Sequence, residues 1–328
     1  MAKINKEQIE KVAAFIKQLP DSGSGLNFYS FKNKDLLIIA SDMYPPLNHP
    51  EAINFFFFVC LHQFGFWHGD ESGYVKPLVG TIDGNSCKGS DLLWKVCKKA
   101  FDKDPLVFGH RHLAKIKPEE LFKIFTDDEG LIPFPDLWER LRITRMYGKY
   151  FIRNRTSPLK VIKESNKKKE PLGYFLAQMW GLQGENGFNE DKFCKKMLLL
   201  AMVLANRPEK FLVVKDDYNW EPIIDYHLMR TALRLGLVDL NDDEYGKNRN
   251  RRWVSSRVEQ NIRKAVDRAM RRIIKLSGRP MSFVDEKMWN SRRYCPEMDY
   301  PDCSKCIFLK VCKHRTELFQ PVFRTTAY

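Results

Sequence analysis

The chain has 328 residues, a net charge of +14 and an apolar fraction of 44%, which is enough for one large domain or two lobes with a real core. The apolar run from Phe55 to Leu61 is too short to cross a membrane, and the N-terminus lacks the apolar region of a secretory signal. From these features we expect neither a membrane-spanning nor a secreted protein, but a cytoplasmic protein whose cysteines are reduced. We also expect it to be a monomer.

Apolar residues at helical spacing predict helices along most of the chain. A short apolar run at 36–40 is either a strand or the entry to a helix, and 81–90 is a turn-rich loop. Alternating strand patterns and internal repeats are almost absent, so the sequence predicts an all-α protein with short connections. The predicted helices cover residues 6–18, 51–64, 91–101, 118–125, 136–152, 172–182, 190–205 and 225–237.

An aromatic cluster follows the helix at 51–64. It contains Phe66, Trp67 and His68. Aromatic rings with a polar neighbour can sandwich a planar base, so these residues are candidates for a base pocket. The alternative is that they belong to the hydrophobic core.

The helix predicted at 225–237 begins with an acid. Asp225 follows shortly after Pro222 and precedes the apolar stripe, and Gly236 suits the C-terminal cap. At a helix N-terminus the free N–H groups keep a carboxylate ionised, and such a carboxylate can stabilise a positive charge that forms nearby. The alternative is that Asp225 is only a cap, and His227, next to it, is a candidate polar contact.

A strongly basic block follows this helix. Residues 247–275 contain eleven Lys and Arg against two acids, which accounts for nine of the fourteen net charges. Such a block is the electrostatic footprint expected for a polyanion, and a solvated helix face with a basic loop is the alternative. The candidate phosphate contacts are Lys247, Arg249, Arg251, Arg252 and Arg257.

Four cysteines lie close together near the C-terminus. Cys295, Cys303, Cys306 and Cys312 form a C-x7-C-x2-C-x5-C run, and four thiolates in so short a segment can surround one metal centre. Structural zinc and a disulfide pair remain alternatives. The other four cysteines are scattered and are predicted to be buried thiols.

Two of these motifs together resemble the helix-hairpin-helix DNA glycosylases of the endonuclease III group. The cysteine spacing is similar to the [4Fe-4S] loop of that group, with one residue more in the first gap. The resemblance implies a two-lobed helical domain over 1–285, with its catalytic segment at 222–237, and an iron–sulfur loop and tail over 286–328. It implies Asp225 as the catalytic residue. The matching residues of the acid segment are Asp225, His227, Arg230, Arg234, Leu235 and Gly236.

Some glycosylases of this group also use a lysine nucleophile that cuts the strand. The corresponding position falls on Arg207, which stays protonated. An archaeal 8-oxoguanine glycosylase type places its lysine further upstream, which leaves Lys192 and Lys196 as candidates. The expected enzyme is monofunctional. The chain also departs from endonuclease III because residues 211–217 replace its Leu-Pro-Gly-Val-Gly hairpin.

The middle of the chain is similar to a second family, the queuosine-salvage N-glycosidases. The similarity covers residues 49–61, 88–105, 116–125, 132–151 and 225–237, although a four-cysteine loop is not part of that family's usual pattern. Both resemblances imply cleavage of an N-glycosidic bond. The sequence predicts first a DNA glycosylase acting on a flipped-out modified base in double-stranded DNA, second a nucleotide N-glycosidase of the queuosine-5′-phosphate type, and third a non-catalytic nucleic-acid-binding protein.

Overall fold

A computed structural model describes residues 2–20, 31–33, 36–38, 43–181, 184–214, 220–297 and 300–328, with only the backbone given for 31–33 and 36–38. The described chain is mostly helical, as the sequence predicts. None of the described helices is long and apolar enough to cross a membrane. In chain order the helices are α1 (Lys6–Gln18), α2 (Ala52–Leu61), α3 (Gly89–Lys103), α4 (His110–Leu113), α5 (Pro118–Ile124), α6 (Leu137–Arg153), α7 (Pro158–Asn166), α8 (Pro171–Trp180), α9 (Lys195–Asn206), α10 (Tyr226–Leu235), α11 (Asp242–Arg249), α12 (Ser256–Ser277) and α13 (Met281–Asn290).

Within the described residues the strands form four small two-stranded sheets, which pair β1 with β8, β2 with β3, β4 with β5 and β6 with β7. The run predicted at 36–40 contains β3, and the loop predicted at 81–90 is wrong for its first part, because it holds a β-hairpin. Asp83 and Gly84 both have positive φ, at 51° and 71°, which is the turn geometry that matches strand twist. The strands are β1 (Lys3–Ile4), β2 (Phe31–Asn33), β3 (Leu36–Ile38), β4 (Trp67–Gly69), β5 (Tyr74–Pro77), β6 (Val79–Ile82), β7 (Asn85–Lys88) and β8 (Val238–Asp239).

Helix α9 begins later than the sequence predicts. The carboxylate of Asp191 accepts hydrogen bonds from the backbone N–H groups of Phe193 and Lys195 at 3.0 and 2.8 Å, and Cys194 has a positive φ of 55°. These side-chain hydrogen bonds hold residues 191–194 in a turn that competes with helix formation. Parts of three predicted segments, at 39–40, 182 and 215–217, lie outside the described residues.

The chain divides into two compact units. Unit 1 comprises Met1–Leu26, His68–Lys76 and Asp216–Arg324, and unit 2 comprises Asn27–Trp67, Pro77–Lys215 and Thr325–Tyr328. In unit 2, α2 is buried on every side and packs against α3, α6, α7 and α9. A helix that is hydrophobic all round belongs in a core, and its four consecutive phenylalanines are completely buried.

Unit 1 is organised around α12. This helix packs against α1, α10 and α13, and against the small sheet of β1 and β8. The sheet joins distant parts of the sequence, since Lys3 pairs with Asp239 and Ile4 with Val238. The apolar side of α12 faces these elements, and its other side is exposed. Helix α10, which follows Asp225, is therefore held between α12 and α13.

Candidate active site and its surroundings

Asp225 caps the N-terminus of α10, as the sequence predicts. Its backbone is extended, and its Oδ1 accepts a hydrogen bond from the N–H of Leu228 at 2.8 Å. The other carboxylate oxygen, Oδ2, makes no hydrogen bond with the described part of the chain. The helix ends at Gly236, whose φ of 79° suits a left-handed C-cap. One oxygen therefore fixes the side chain through the helix cap, and the second has no hydrogen bond in the described chain.

A second carboxyl group lies beside Asp225 in unit 1. Asp285, on α13, is 3% exposed. It accepts a hydrogen bond from the backbone N–H of Ile223, while its Oδ1 is buried without a hydrogen-bond partner in the described chain. Burial, and next the negative charge of Asp225, raise the pKa of Asp285 well above its ordinary value. Two carboxyl groups that share a site ionise unequally, and the raised pKa makes Asp285 the one that binds a proton more readily.

The sequence interpretation missed Asp285. A local signal exists, because it is the only acid among the first five residues of α13 and directly follows Phe283 and Val284. An acid in such an apolar stretch is rarely buried without a reason. Its partner Asp225 is sixty residues away, however, and no local pattern predicts that α13 packs against α10.

His227 belongs to a polar network next to Asp225. Its Nδ1 lies 3.0 Å from Nη2 of Arg230. Because a guanidinium can only donate, Nδ1 accepts this hydrogen bond, and the ring proton of the neutral histidine is on Nε2. Arg230 also donates to Gln320 at 2.8 Å and lies 3.6 Å from Glu297. Glu297 in turn accepts a hydrogen bond from the hydroxyl of Tyr74 at 2.9 Å.

The other predicted base-pocket residues fall in both units. Phe66 and Trp67 belong to unit 2 and are buried, whereas His68 belongs to unit 1 and is half-buried. The carbonyl of Phe66 accepts a hydrogen bond from the N–H of Leu78 at 2.9 Å, so the segment is fixed in place. Their role in a base pocket stays a prediction.

The two candidate lysine nucleophiles differ in their surroundings. Lys196 is completely buried in unit 2, and its Nζ donates to the carbonyl of Gly187 at 2.7 Å. Burial lowers the pKa of Lys196 to about 7, so its amine is neutral more readily than that of an ordinary lysine. Lys192 is exposed. The lysine with the lowered pKa, Lys196, is therefore the one whose amine is buried.

The four cysteines of the C-terminal segment gather near the C-terminal end of α10. Nη1 of Arg234 donates to Sγ of Cys295 at 3.2 Å, and Sγ of Cys312 lies 3.5 Å from the carbonyl oxygen of Arg234. Burial first, and then the nearby thiols of Cys295, Cys306 and Cys303, raise the pKa of Cys312 to about 11, so the four sulfurs lie in one neighbourhood. In the described ranges, no three His, Cys, Asp or Glu side chains already stand at the spacing of metal ligands.

The predicted phosphate contacts separate into two groups. Lys247 forms an ion pair with Asp243 at 2.9 Å, and the guanidinium of Arg251 lies 4.7 Å from the ring centroid of Phe319. These two side chains therefore have partners within the protein. Arg249, Arg252 and Arg257 are exposed, as a phosphate contact requires.

One comparison with known proteins gives a match. Residues 43–194 match the model of a family described as queuosine salvage protein. No curated protein matches the chain. The matched segment is less than half of the chain and runs from the approach to α2 to the residue before α9. Asp225 and Asp285 both lie outside it.

Proposed function

We propose that this protein hydrolyses the N-glycosidic bond of a queuosine-type nucleotide and releases the base. The match at 43–194 supports this activity ahead of the DNA glycosylase, whose resemblance rests on the motifs of α10 and the cysteines alone. The observation that carries the proposal is the pair of buried carboxyl groups, Asp225 and Asp285, at the start of α10.

The reaction needs an anion beside the sugar. As the bond to the base breaks, the sugar develops oxocarbenium character, and a nearby carboxylate stabilises it electrostatically or orients the attacking water. Asp225 suits this role because its Oδ1 is fixed by the N–H of Leu228 while Oδ2 remains available. The positive end of the α10 dipole favours a negative charge at this position.

The departing base needs a proton or a hydrogen-bond donor. Asp285 suits this second role because burial and the charge of Asp225 raise its pKa well above its ordinary value, which favours the protonated carboxyl group. Its Oδ1 is buried without a partner in the described chain, and such a group gains from a ligand that supplies one. The proposed roles are therefore an anionic Asp225 facing the sugar and a protonated Asp285 facing the base.

A base-release assay tests the activity. Purified protein is incubated with queuosine 5′-phosphate, with an unmodified purine nucleotide and with duplex DNA carrying modified bases, and the released base is identified by chromatography and mass spectrometry. We expect release from the queuosine nucleotide. Release only from duplex DNA would favour the glycosylase instead, and no release from any substrate would leave a binding protein.

A DNA glycosylase is the second candidate. It is favoured by the four cysteines beside α10, because that arrangement resembles the cluster loop of endonuclease III. We propose that Cys295, Cys303, Cys306 and Cys312 hold a [4Fe-4S] cluster, with zinc as the alternative. The guanidinium of Arg234 next to Cys295 suits a site that carries negative thiolate charge. The metal centre would be structural, holding the C-terminal segment against α10.

Metal content distinguishes these alternatives. Anaerobically purified protein with a [4Fe-4S] cluster is brown and contains about four irons per chain. One zinc per chain with no iron would exclude the cluster, and a metal-free folded chain would exclude both. These results are independent of base release, so they test the cysteine site separately from the activity.

A further inference from the structure

The exposed face of α12 carries a straight row of cations. Arg257, Lys264, Arg268 and Lys275 are exposed and follow one another at intervals of seven, four and seven residues. At about 100° per residue, these intervals place all four within an arc of about 40° around the helix axis. The row extends about 27 Å along α12, at 1.5 Å per residue. We call these four residues the basic stripe.

The neighbouring cations of α12 already have partners within unit 1. Arg263 is buried and donates through Nη2 to the carbonyl of Ile224 at 2.9 Å. Nε of Arg271 lies 2.9 Å from the carboxylate of Asp267. The basic stripe differs from them, because in the described ranges its four side chains form no ion pair and no hydrogen bond.

The acids of α12 do not neutralise the stripe. Glu259 is buried, and Asp267, which is half-buried, is bonded to Arg271. Glu10 of the adjacent α1 forms an ion pair with Arg272 at 2.9 Å. Four aligned positive charges without counter-charges add nothing to the stability of the helix, since like charges at helical spacing repel. Their arrangement fits a partner that supplies several negative charges in a row.

The chemistry of the stripe points to a duplex. Its four members are all cations, with no aromatic side chain among them on which the bases of a single strand could stack. The alignment of four cations along one helix suits a partner whose phosphates follow one another along a stiff backbone. B-form DNA has a major groove wide enough for an α-helix, whereas the major groove of duplex RNA is deep and narrow. These properties favour DNA.

A cavity of about 440 Å³ opens at the C-terminal end of the stripe, beside Lys275. Its lining includes Glu221, which forms an ion pair with Arg271, and one further cation, Arg279. Arg279 therefore adds one positive charge to this end of the stripe.

We propose that the basic stripe binds the sugar–phosphate backbone of duplex DNA. The contact is independent of base sequence, because it uses phosphates alone. It is a second function, separate from the carboxyl pair of Asp225 and Asp285. The stripe therefore binds DNA whether or not the carboxyl pair is occupied.

Charge reversal with a matched control tests the stripe. The variant Lys264→Glu/Arg268→Glu reverses its two central charges. The control, Lys160→Glu/Lys163→Glu, makes the same change in net charge on the exposed side of α7 in unit 2. Binding to a fluorescent duplex longer than the stripe is measured by anisotropy over a range of salt concentrations, and melting temperatures confirm folding. Lys264→Gln/Arg268→Gln serves if the reversed variant fails to fold.

The salt dependence gives the quantitative expectation. Four phosphate contacts predict a slope of about −3.6 in a plot of log affinity against log salt. The stripe variant should show a shallower slope, of magnitude about 1.8 or smaller, and should bind about 10²-fold more weakly at about 50 mM salt. The control should keep the wild-type slope and affinity. Equal losses in the two variants would overturn the proposal, because they would show an effect of net charge alone.

Competitors and activity complete the test. Tighter binding to duplex RNA, or to vesicles of anionic lipid, than to duplex DNA would overturn the assignment of the partner. Release of base from a free queuosine nucleotide should be the same in the stripe variant and the wild type, because the stripe takes no part in that reaction. If the wild type releases no base but binds DNA through the stripe, the proposed activity fails and the DNA surface stands.

Discussion

Replacing Asp225 by Asn separates the two roles of this side chain. Asn has an oxygen that can accept the hydrogen bond that Oδ1 of Asp225 now receives from Leu228 at 2.8 Å, and Asn caps helices about as well as Asp. The change also removes the negative charge beside Asp285. We therefore expect the free energy of unfolding to change by about 1 kcal/mol or less.

Catalysis should respond very differently. Loss of one electrostatic partner of the transition state costs about 3 kcal/mol, which corresponds to a fall in the rate of base release of about 10²-fold or more. The assay is single-turnover release of base, with melting temperature measured on the same preparation. Asp225→Ala is the control for capping, since it removes the cap and should cost roughly 0.5–2 kcal/mol of stability as well.

The pKa of Asp285 provides a second test of the same variant. The charge of Asp225 is one cause of the raised pKa of Asp285, so in Asp225→Asn the pKa of Asp285 should move toward its ordinary value. An Asn variant that is stable and fully active would refute the catalytic role. Asp225 would then be a helix cap and nothing more.

Three further predictions concern other buried or clustered groups. Folding raises the pKa of Asp285, so this group stabilises the protein fully at pH values below its pKa in the unfolded chain. The stabilisation is lost as the pH rises through its pKa in the folded protein. Urea unfolding at a series of pH values should show this loss in the wild type and not in Asp285→Asn. Folding lowers the pKa of Lys196 from 10.5 to about 7. The free energy of unfolding is therefore highest above pH 10.5 and decreases as the pH falls toward 7, by up to about 5 kcal/mol. Lys196→Met should abolish this decrease in the same experiment. Cys303→Ser should lower the metal content and the melting temperature of the C-terminal region, whereas base release is retained. An unchanged metal content would show that Cys303 is not a metal ligand.

Local signals predicted the helices well. The bounds of α1 agree with the amphipathic pattern at 6–18, and α10 begins after Asp225 and ends at Gly236, as its caps indicate. Both results depend on interactions between residues three or four apart, which a sequence displays directly. The hairpin of β6 and β7 was missed although Asp83-Gly84 is a strong turn signal, because its strands are only four residues long.

The contacts between residues far apart in sequence could not be predicted from the sequence. The pairing of Asp225 with Asp285 depends on how α13 packs against α10, and the partners of Lys247 and Arg251 depend on where their side chains lie in the folded chain. The phosphate contacts of the predicted basic block therefore stay a prediction, in which Lys247 and Arg251 already have partners within the protein. Only the three-dimensional arrangement separates the exposed stripe of α12 from cations that serve the protein itself.

The pairing of β1 with β8 and of α1 with α12 also governs the order in which the chain can acquire structure during synthesis. Helix α1 is made among the first residues, but the apolar surface that covers it belongs to residues 256–277. At ribosomal speeds of about 5–20 residues per second, its partner emerges on the order of ten seconds to a minute later. Throughout that interval Ile9, Val12 and Ile16, which are completely buried in the finished protein, face water or a chaperone. Unit 2 also contains long-range packing, since its core helix α2 packs against α9, so neither unit is complete when its first helix leaves the ribosome.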